Sequence, residues 1–200
     1  MISIDDYNPK NIELANLIKK YGLESETIFF IECFSPEAKE QIKELSDMGF
    51  GCQSHTCSHS HLTKISKEQI EYELEGSKLI IEKTTGKECL WLCLPRGYGN
   101  EEIYKMALEI GYKYIRGVGV FNLEKNKIGL NQTTIHAYPL RKEYNGRNWI
   151  DLFDEYLEKA KKENGNFHFW GHYREMEREG ILEEFETCLR KIVDSGVFTK

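Results

Sequence analysis

Short apolar runs alternate with longer amphipathic segments along the whole chain. The runs ISI, TIFFI, CLWLCL and NFHFW have the length and the β-branched or aromatic content of buried strands. Between such runs, apolar residues recur at helical spacing, as in SKEQIEYELEGSKLIIEKTTG, whose start has the form of a capping box from Ser66 to Gln69. This alternation predicts an α/β fold in which helices cover a parallel sheet.

The number of units favours a barrel over an open sheet. The chain offers about seven strand-like segments, and it lacks a glycine-rich dinucleotide fingerprint. It also lacks internal repeats and low-complexity linkers, and its 200 residues suit one core. We therefore expect residues 1–200 to form a single domain built as a closed or nearly closed α/β barrel.

Composition and charge limit the partners. Charged residues make up 30% of the chain and the net charge is −6, which argues against nucleic acid or an anionic membrane as the partner. No apolar run approaches the roughly 20 residues that span a bilayer. Six cysteines without a visible signal peptide are typical of free thiols in a reducing compartment, so we expect a cytoplasmic location.

Polar clusters follow four of the predicted strands. These clusters comprise Asp5, Asp6, His55, His59, residues 95–98 and His172. In a parallel barrel, residues just past the carboxyl ends of the strands meet on one rim. The sequence therefore predicts that the four clusters converge on one site.

The histidine pair indicates a metal site. His55 and His59 are four residues apart, so one helical turn can direct both imidazoles the same way. A carboxylate from Asp6 would give three ligands and leave positions open for water, the arrangement of a catalytic zinc site. Asp5 would then be a second carboxylate beside the metal, free to act as a base.

A structural zinc site is the alternative for the same segment. Cys52, His55, Cys57 and His59 form a local Cys2His2 set, but their spacing is cramped for a zinc knuckle. His61 is an alternative ligand to His59, although a surface position suits it better.

The motifs resemble those of a known family. SIDDY resembles the Thr-Phe-Asp-Asp-Gly motif of the polysaccharide deacetylases, the NodB-type esterases of carbohydrate esterase family 4. SHTCSHSHLTKIS closely resembles the second motif of that family, and LCLPRGYGN and FHFWGH are similar to its third and last. The resemblance spans nearly the whole chain and implies a distorted (β/α)7 TIM-like barrel, the NodB homology domain.

The resemblance also implies roles for individual residues. Asp6, His55 and His59 match the ligands of a divalent metal, most often Zn²⁺. Asp5 matches the general base, and His172 matches the general acid. The implied activity is hydrolysis of N-acetyl groups on an aminosugar polymer or oligomer.

Two motifs depart from the family pattern. The third motif normally supplies an arginine that pairs with the base; Arg96 is our expected partner of Asp5, and Arg116 is the alternative. The fourth motif, which supplies an aspartate for the acid histidine, is not recognisable. We therefore expect His172 to lack a carboxylate partner, and His136 is a candidate to fill part of that gap.

The sequence constrains the identity of the substrate less than it constrains the fold or the metal ligands. Tyr98 and Trp170 are our candidates for contact with a sugar ring, although Trp170 also suits a packing role. The expected partner is an N-acetylated glycan. Two alternatives stay open: an amidohydrolase of the same fold acting on a small cyclic amide or ureide, and a carbohydrate-binding relative with weakened catalysis.

Overall fold

The computed structural model describes residues 1–125 and 128–198, in which strands and helices alternate. The strands are Ile2–Asp5 (β1), Thr27–Ile31 (β2), Gly51–Ser54 (β3), Trp91–Cys93 (β4), Tyr114–Arg116 (β5), Gly129–Asn131 (β6), Ile135–His136 (β7) and Phe169–Gly171 (β8). The α-helices are Asn11–Lys20 (α1), Pro36–Asp47 (α2), Lys67–Thr85 (α3), Glu101–Ile110 (α4), Trp149–Glu163 (α5), Tyr173–Glu179 (α6) and Leu182–Ser195 (α7).

The eight strands form one parallel sheet in the order β6-β5-β4-β3-β2-β1-β8-β7. The two end strands are adjacent in the chain, because β6 ends at Asn131 and β7 begins at Ile135. An extended chain covers at most about 14 Å between those two residues. The sheet must therefore curl until its ends approach each other, which confirms the predicted TIM-like α/β barrel class, with one more strand than the expected seven.

Side-chain caps define where several helices begin. The predicted capping box is confirmed: Ser66 Oγ accepts from the Gln69 amide, and the Gln69 side chain accepts from the Ser66 amide. Asn100 and Asn148 accept from amides in the first turns of α4 and α5. Among the described residues, no helix combines the length and apolarity that crossing a membrane requires.

An aromatic cluster joins β8 to the helices on its outer side. Phe169 is fully buried, with ring centroids 4.9 Å from Phe153, 5.2 Å from Phe185 and 6.3 Å from Trp149. Each of these rings adds a large apolar area to the core. This packing fixes β8, and β8 leads directly into His172 on the rim.

The carboxyl ends of the strands bring the polar residues together, as the sequence predicts. Asp5, Cys93, Arg116 and His136 are the last residues of β1, β4, β5 and β7, and His55 and His172 directly follow β3 and β8. This end of the barrel is where functional groups lie in folds of this type.

We expect Phe169→Ala to lower the free energy of unfolding by about 3–5 kcal/mol, because a buried ring is lost and a cavity remains. Denaturant unfolding followed by tryptophan fluorescence measures the change. Phe34→Ala is the matched control, since Phe34 is 65% exposed, and it should change stability by about 0.5 kcal/mol or less. Equal losses in the two variants would contradict the packing described for β8.

Candidate metal and catalytic site

Asp6, His55 and His59 form a compact group at the rim. Asp6 Oδ1 lies 3.2 Å from His55 Nε2 and 3.4 Å from His59 Nε2. Asp6 and His59 both have positive φ angles, 70° and 58°, which non-glycine residues rarely adopt. Strained backbone of this kind tends to occur at functional sites, where the surrounding structure holds it in place.

The three residues fit a divalent metal ion. Asp6 Oδ1 is buried without a hydrogen-bond donor. His55 Nδ1 lies 2.9 Å from the Cys93 carbonyl oxygen. Because a carbonyl only accepts, Nδ1 carries a proton, and Nε2 is the nitrogen that can bind a metal. Two imidazoles and one carboxylate are ligands that zinc and similar metals accept.

Protonation would compete with metal binding here. Burial raises the pKa of Asp6, but its electrostatic interaction with His55 outweighs this effect and leaves the pKa of Asp6 below its usual range. Burial opposes the charged form of His55, but electrostatic interactions with Cys93 and Asp6 raise its pKa well above the ordinary value. A bound cation must displace this proton, so metal affinity should fall as the pH falls.

Glu73 supports the loop that carries the two histidines. This buried residue of α3 accepts from the Cys57 and Ser58 amides, each at 2.9 Å, through Oε2. Sequence reasoning missed it. The available signal was a carboxylate on the buried face of α3, next to Leu74, where a charged residue needs partners.

The structure does not bring the residues of the structural zinc alternative together. Cys52 Sγ donates to the Ile42 carbonyl at 3.4 Å, and Cys57 Sγ donates to the Tyr72 carbonyl at 3.9 Å. Among the described residues, neither cysteine belongs to a group that could hold a metal. His61 also lies outside the group, because its ring stacks on a neighbouring tyrosine.

Arg116, rather than Arg96, pairs with Asp5, which corrects the expected assignment. Arg116 is fully buried, and its Nη1 forms an ion pair with Asp5 Oδ2. The same Nη1 lies 2.9 Å from Cys93 Sγ. Arg96 fails as the partner because it lies in the turn after β4, where its side chain is exposed. Arg116 ends β5 and reaches Asp5 through the barrel interior.

His172 has a carboxylate partner, contrary to expectation. Glu175 Oε2 lies 2.6 Å from His172 Nδ1, three residues away at the start of α6. The other ring nitrogen, Nε2, lies 3.9 Å from Asp6 Oδ2. Burial lowers the pKa of His172, but Glu175 and Asp5 outweigh it and raise that pKa above the ordinary value. A carboxylate three residues after His172 on a helix was the signal that sequence reasoning overlooked.

His136 approaches the same carboxylate from β7. Its Nε2 lies 3.0 Å from Glu175 Oε2, and its Nδ1 lies 3.1 Å from Arg141 Nη1. A guanidinium only donates, so Nδ1 accepts and the ring proton lies on Nε2. Burial lowers the pKa of His136 to about 4, which keeps the ring neutral.

Neither predicted sugar contact is placed as expected. Trp170 borders the cavity at the site but is only 2% exposed, with His136 stacked at 3.7 Å and the Arg116 guanidinium 4.1 Å from its ring. Its role is therefore packing, because no open face is left for a sugar. Tyr98 is 55% exposed, stacks on His61 and does not line either cavity at the site.

Two adjoining cavities lie over the rim. One has a volume of about 330 Å³ and the other about 250 Å³. Both are lined by Asp5, Asp6, His59, Arg96, His172 and Arg174. The larger cavity thus brings together the three candidate ligands, the Asp5 carboxylate and His172. Its size suits a small acylated group.

The fold and the site define an α/β-barrel protein with a candidate mononuclear metal centre. The family model for polysaccharide deacetylases matches residues 1–115, and the chain belongs to that family. His136, His172 and Glu175 lie beyond the matched segment.

Individual relatives agree with this assignment. The peptidoglycan-N-acetylmuramic acid deacetylase PdaA of Bacillus subtilis is 31% identical over 110 residues, covering 54% of this chain and 40% of that protein. The peptidoglycan-N-acetylglucosamine deacetylase of Bacillus cereus is 29% identical over 119 residues, covering 57% of this chain and 54% of that protein. The matches therefore span about half of each relative.

A solved structure shares the fold. The family 4 carbohydrate esterase of Streptomyces lividans, in complex with acetate, superposes with a TM-score of 0.61 at 14% identity. The superposition covers 98% of this chain and 85% of the esterase. The barrel is thus common to both proteins over nearly the whole chain.

We expect Asp6→Ala to abolish tight zinc binding, because it removes the only carboxylate among the three proposed ligands. Competition with a chromophoric chelator measures the affinity. Cys57→Ser is the matched control from the same loop and should bind zinc as tightly as the unaltered protein. Loss of zinc in Cys57→Ser with retention in Asp6→Ala would refute the ligand assignment.

Proposed function

We propose that this protein is a metal-dependent hydrolase that removes N-acetyl groups from an aminosugar polymer or oligomer. The observation that carries the proposal is the position of two proton-transfer groups around one candidate metal group. Asp5 and His172 line the same cavities as Asp6 and His59. A binding protein would have no need of both a base and an acid there.

Asp6, His55 and His59 would hold the cation, with Zn²⁺ the best match to the donor set. When bound, the cation supplies Lewis acidity, which polarises the acetamide carbonyl and makes a nearby water more acidic.

Asp5 is the general base in this proposal. Its Oδ2 is occupied by Arg116 and Cys93, whereas its Oδ1 is buried without a hydrogen-bond partner. Oδ1 can therefore accept a proton from the attacking water, while Arg116 balances the carboxylate charge and prevents it from turning away.

His172 is the general acid. Its Nδ1 is held by Glu175, so Nε2 presents its proton to the cavity. Glu175 and Asp5 outweigh the effect of burial and raise the pKa of His172 above the ordinary value, which favours the protonated ring. An amide nitrogen leaves poorly as an anion, so protonation by His172 would release the free amino sugar.

The relatives support a glycan substrate. Two of them carry names that specify N-acetylglucosamine or N-acetylmuramic acid in peptidoglycan.

The proposal is tested by loading the protein with zinc and assaying acetate release. We expect acetate from N-acetylglucosamine oligomers and no ring opening of allantoin, which is measured as allantoate formation. His172→Ala should lose amide hydrolysis by about 10²- to 10⁴-fold, yet it should keep much of the hydrolysis of an activated aryl acetate, whose leaving group needs no proton. Turnover of allantoin alone would refute the glycan assignment. Equal loss of amide and ester hydrolysis in His172→Ala would refute the acid role.

We expect Glu175→Gln to move the alkaline limb of the pH–rate profile to lower pH. The carboxylate raises the pKa of His172, so its removal makes the ring lose its proton at a lower pH, and activity that needs the protonated acid is lost earlier. Glu177→Gln on the same helix is the control, because Glu177 pairs with the exposed Lys10. An unchanged limb in Glu175→Gln would contradict the coupling.

A further inference from the structure

Two arginines border the site without a protein partner. Arg96 and Arg174 line both cavities. Within residues 1–125 and 128–198, neither side chain forms a hydrogen bond or an ion pair. Of the other acids at the site, Asp5 contacts Arg116, Glu175 contacts His172, and Asp6 is a proposed metal ligand. The two guanidinium groups are therefore available to a ligand.

We propose that Arg96 and Arg174 bind a carboxylate that the glycan carries close to its acetamide group, so that the preferred substrate is an acidic N-acetylated glycan. The inference rests on the proposed deacetylase function and deepens it. Guanidinium groups pair with carboxylates through two parallel hydrogen bonds, which gives both affinity and orientation. An anion held there would place the acetamide between Asp5 and His172.

The placement of Arg96 and Arg174 differs from that of ordinary surface arginines. Arg96 follows β4 and Arg174 belongs to α6, so two distant segments deliver the same charge to the same cavities. Arg96 also has a φ of 59°, a conformation that a glycine would adopt with less strain. An arginine at that position is explained by a role for its side chain.

The charges that line the larger cavity also favour an anion. Three arginines, Arg96, Arg141 and Arg174, face two carboxylates there, although the chain as a whole carries −6. Glu32 is the additional acid in the smaller cavity, and its Oε2 already accepts from the Tyr7 amide. A divalent cation bound by one carboxylate and two neutral imidazoles would add positive charge and strengthen the attraction for a carboxylate.

The test compares glycans that differ in one charged group. The first pair is N-acetylglucosamine–N-acetylmuramic acid oligomers with the lactyl carboxylate free and with it reduced to an alcohol. Oligomers that alternate N-acetylglucosamine with glucuronate form the third arm and distinguish a uronate from a lactyl group. We expect the zinc-loaded protein to favour at least one carboxylated glycan over the reduced one by about 10- to 100-fold in kcat/KM.

Substitution assigns the preference to the two arginines. In the double variant Arg96→Gln/Arg174→Gln, the ratio of kcat/KM for the carboxylated over the reduced oligomer should fall towards one. Arg178→Gln is the matched control, because Arg178 lies on the same helix, pairs with Glu179 and lines neither cavity. It should keep the ratio of the unaltered protein.

Binding to the metal-free protein separates this inference from the proposed function. Calorimetry should show tighter binding of a carboxylated oligomer than of the reduced one, and the double variant should lose that difference. Equal binding of the charged and reduced oligomers would overturn the inference, as would a ratio that the double variant leaves unchanged. Absence of acetate from every glycan, with the binding difference intact, would refute the deacetylase function instead.

Discussion

The buried ion pair between Asp5 and Arg116 is the interaction on which the site depends. Both side chains are nearly inaccessible, at 2% and 0% exposure. A charge buried at this depth is costly unless it is paired, so each residue fixes the other. The pair separates two neighbouring carboxylates: Asp5 is held by Arg116, and Asp6, with its positive φ, lies beside His55 and His59. Adjacent aspartates can therefore have different roles.

Glu175 is a second carboxylate that fixes side chains at the site. It contacts His172 and His136 through the same oxygen, and its pKa lies below the usual range because their hydrogen bonds and charges outweigh its burial. Arg141 Nη1 donates to His136 Nδ1, which places the ring proton on Nε2. The orientations of His136, Glu175 and His172 are therefore linked. The Asp5–Arg116 pair thus lies in the interior of the barrel, whereas Glu175 belongs to α6 at the rim.

Strand and helix periodicities in the sequence were sufficient to predict the α/β barrel. The candidate metal group does bring His55 and His59 together, but not on the helical turn expected from their spacing: the segment is a loop with positive φ angles at Thr56 and His59. Arg116 could not be chosen over Arg96 from the sequence alone, because the choice depends on the pairing of β4 with β5, which places Arg116 opposite Cys93. The role of Trp170 was also undetermined, since its burial depends on His136 and Arg116, which come from other strands.

The central claim is that Asp6 and the two histidines bind a metal while Asp5 stays free as the base. Anomalous diffraction at the zinc absorption edge, from crystals of the zinc-loaded protein, tests it most directly. The account predicts one strong peak about 2.0–2.2 Å from Asp6, His55 Nε2 and His59 Nε2, with Asp5 still paired to Arg116. A peak coordinated by Asp5, or one centred on Cys52 and Cys57, would contradict it.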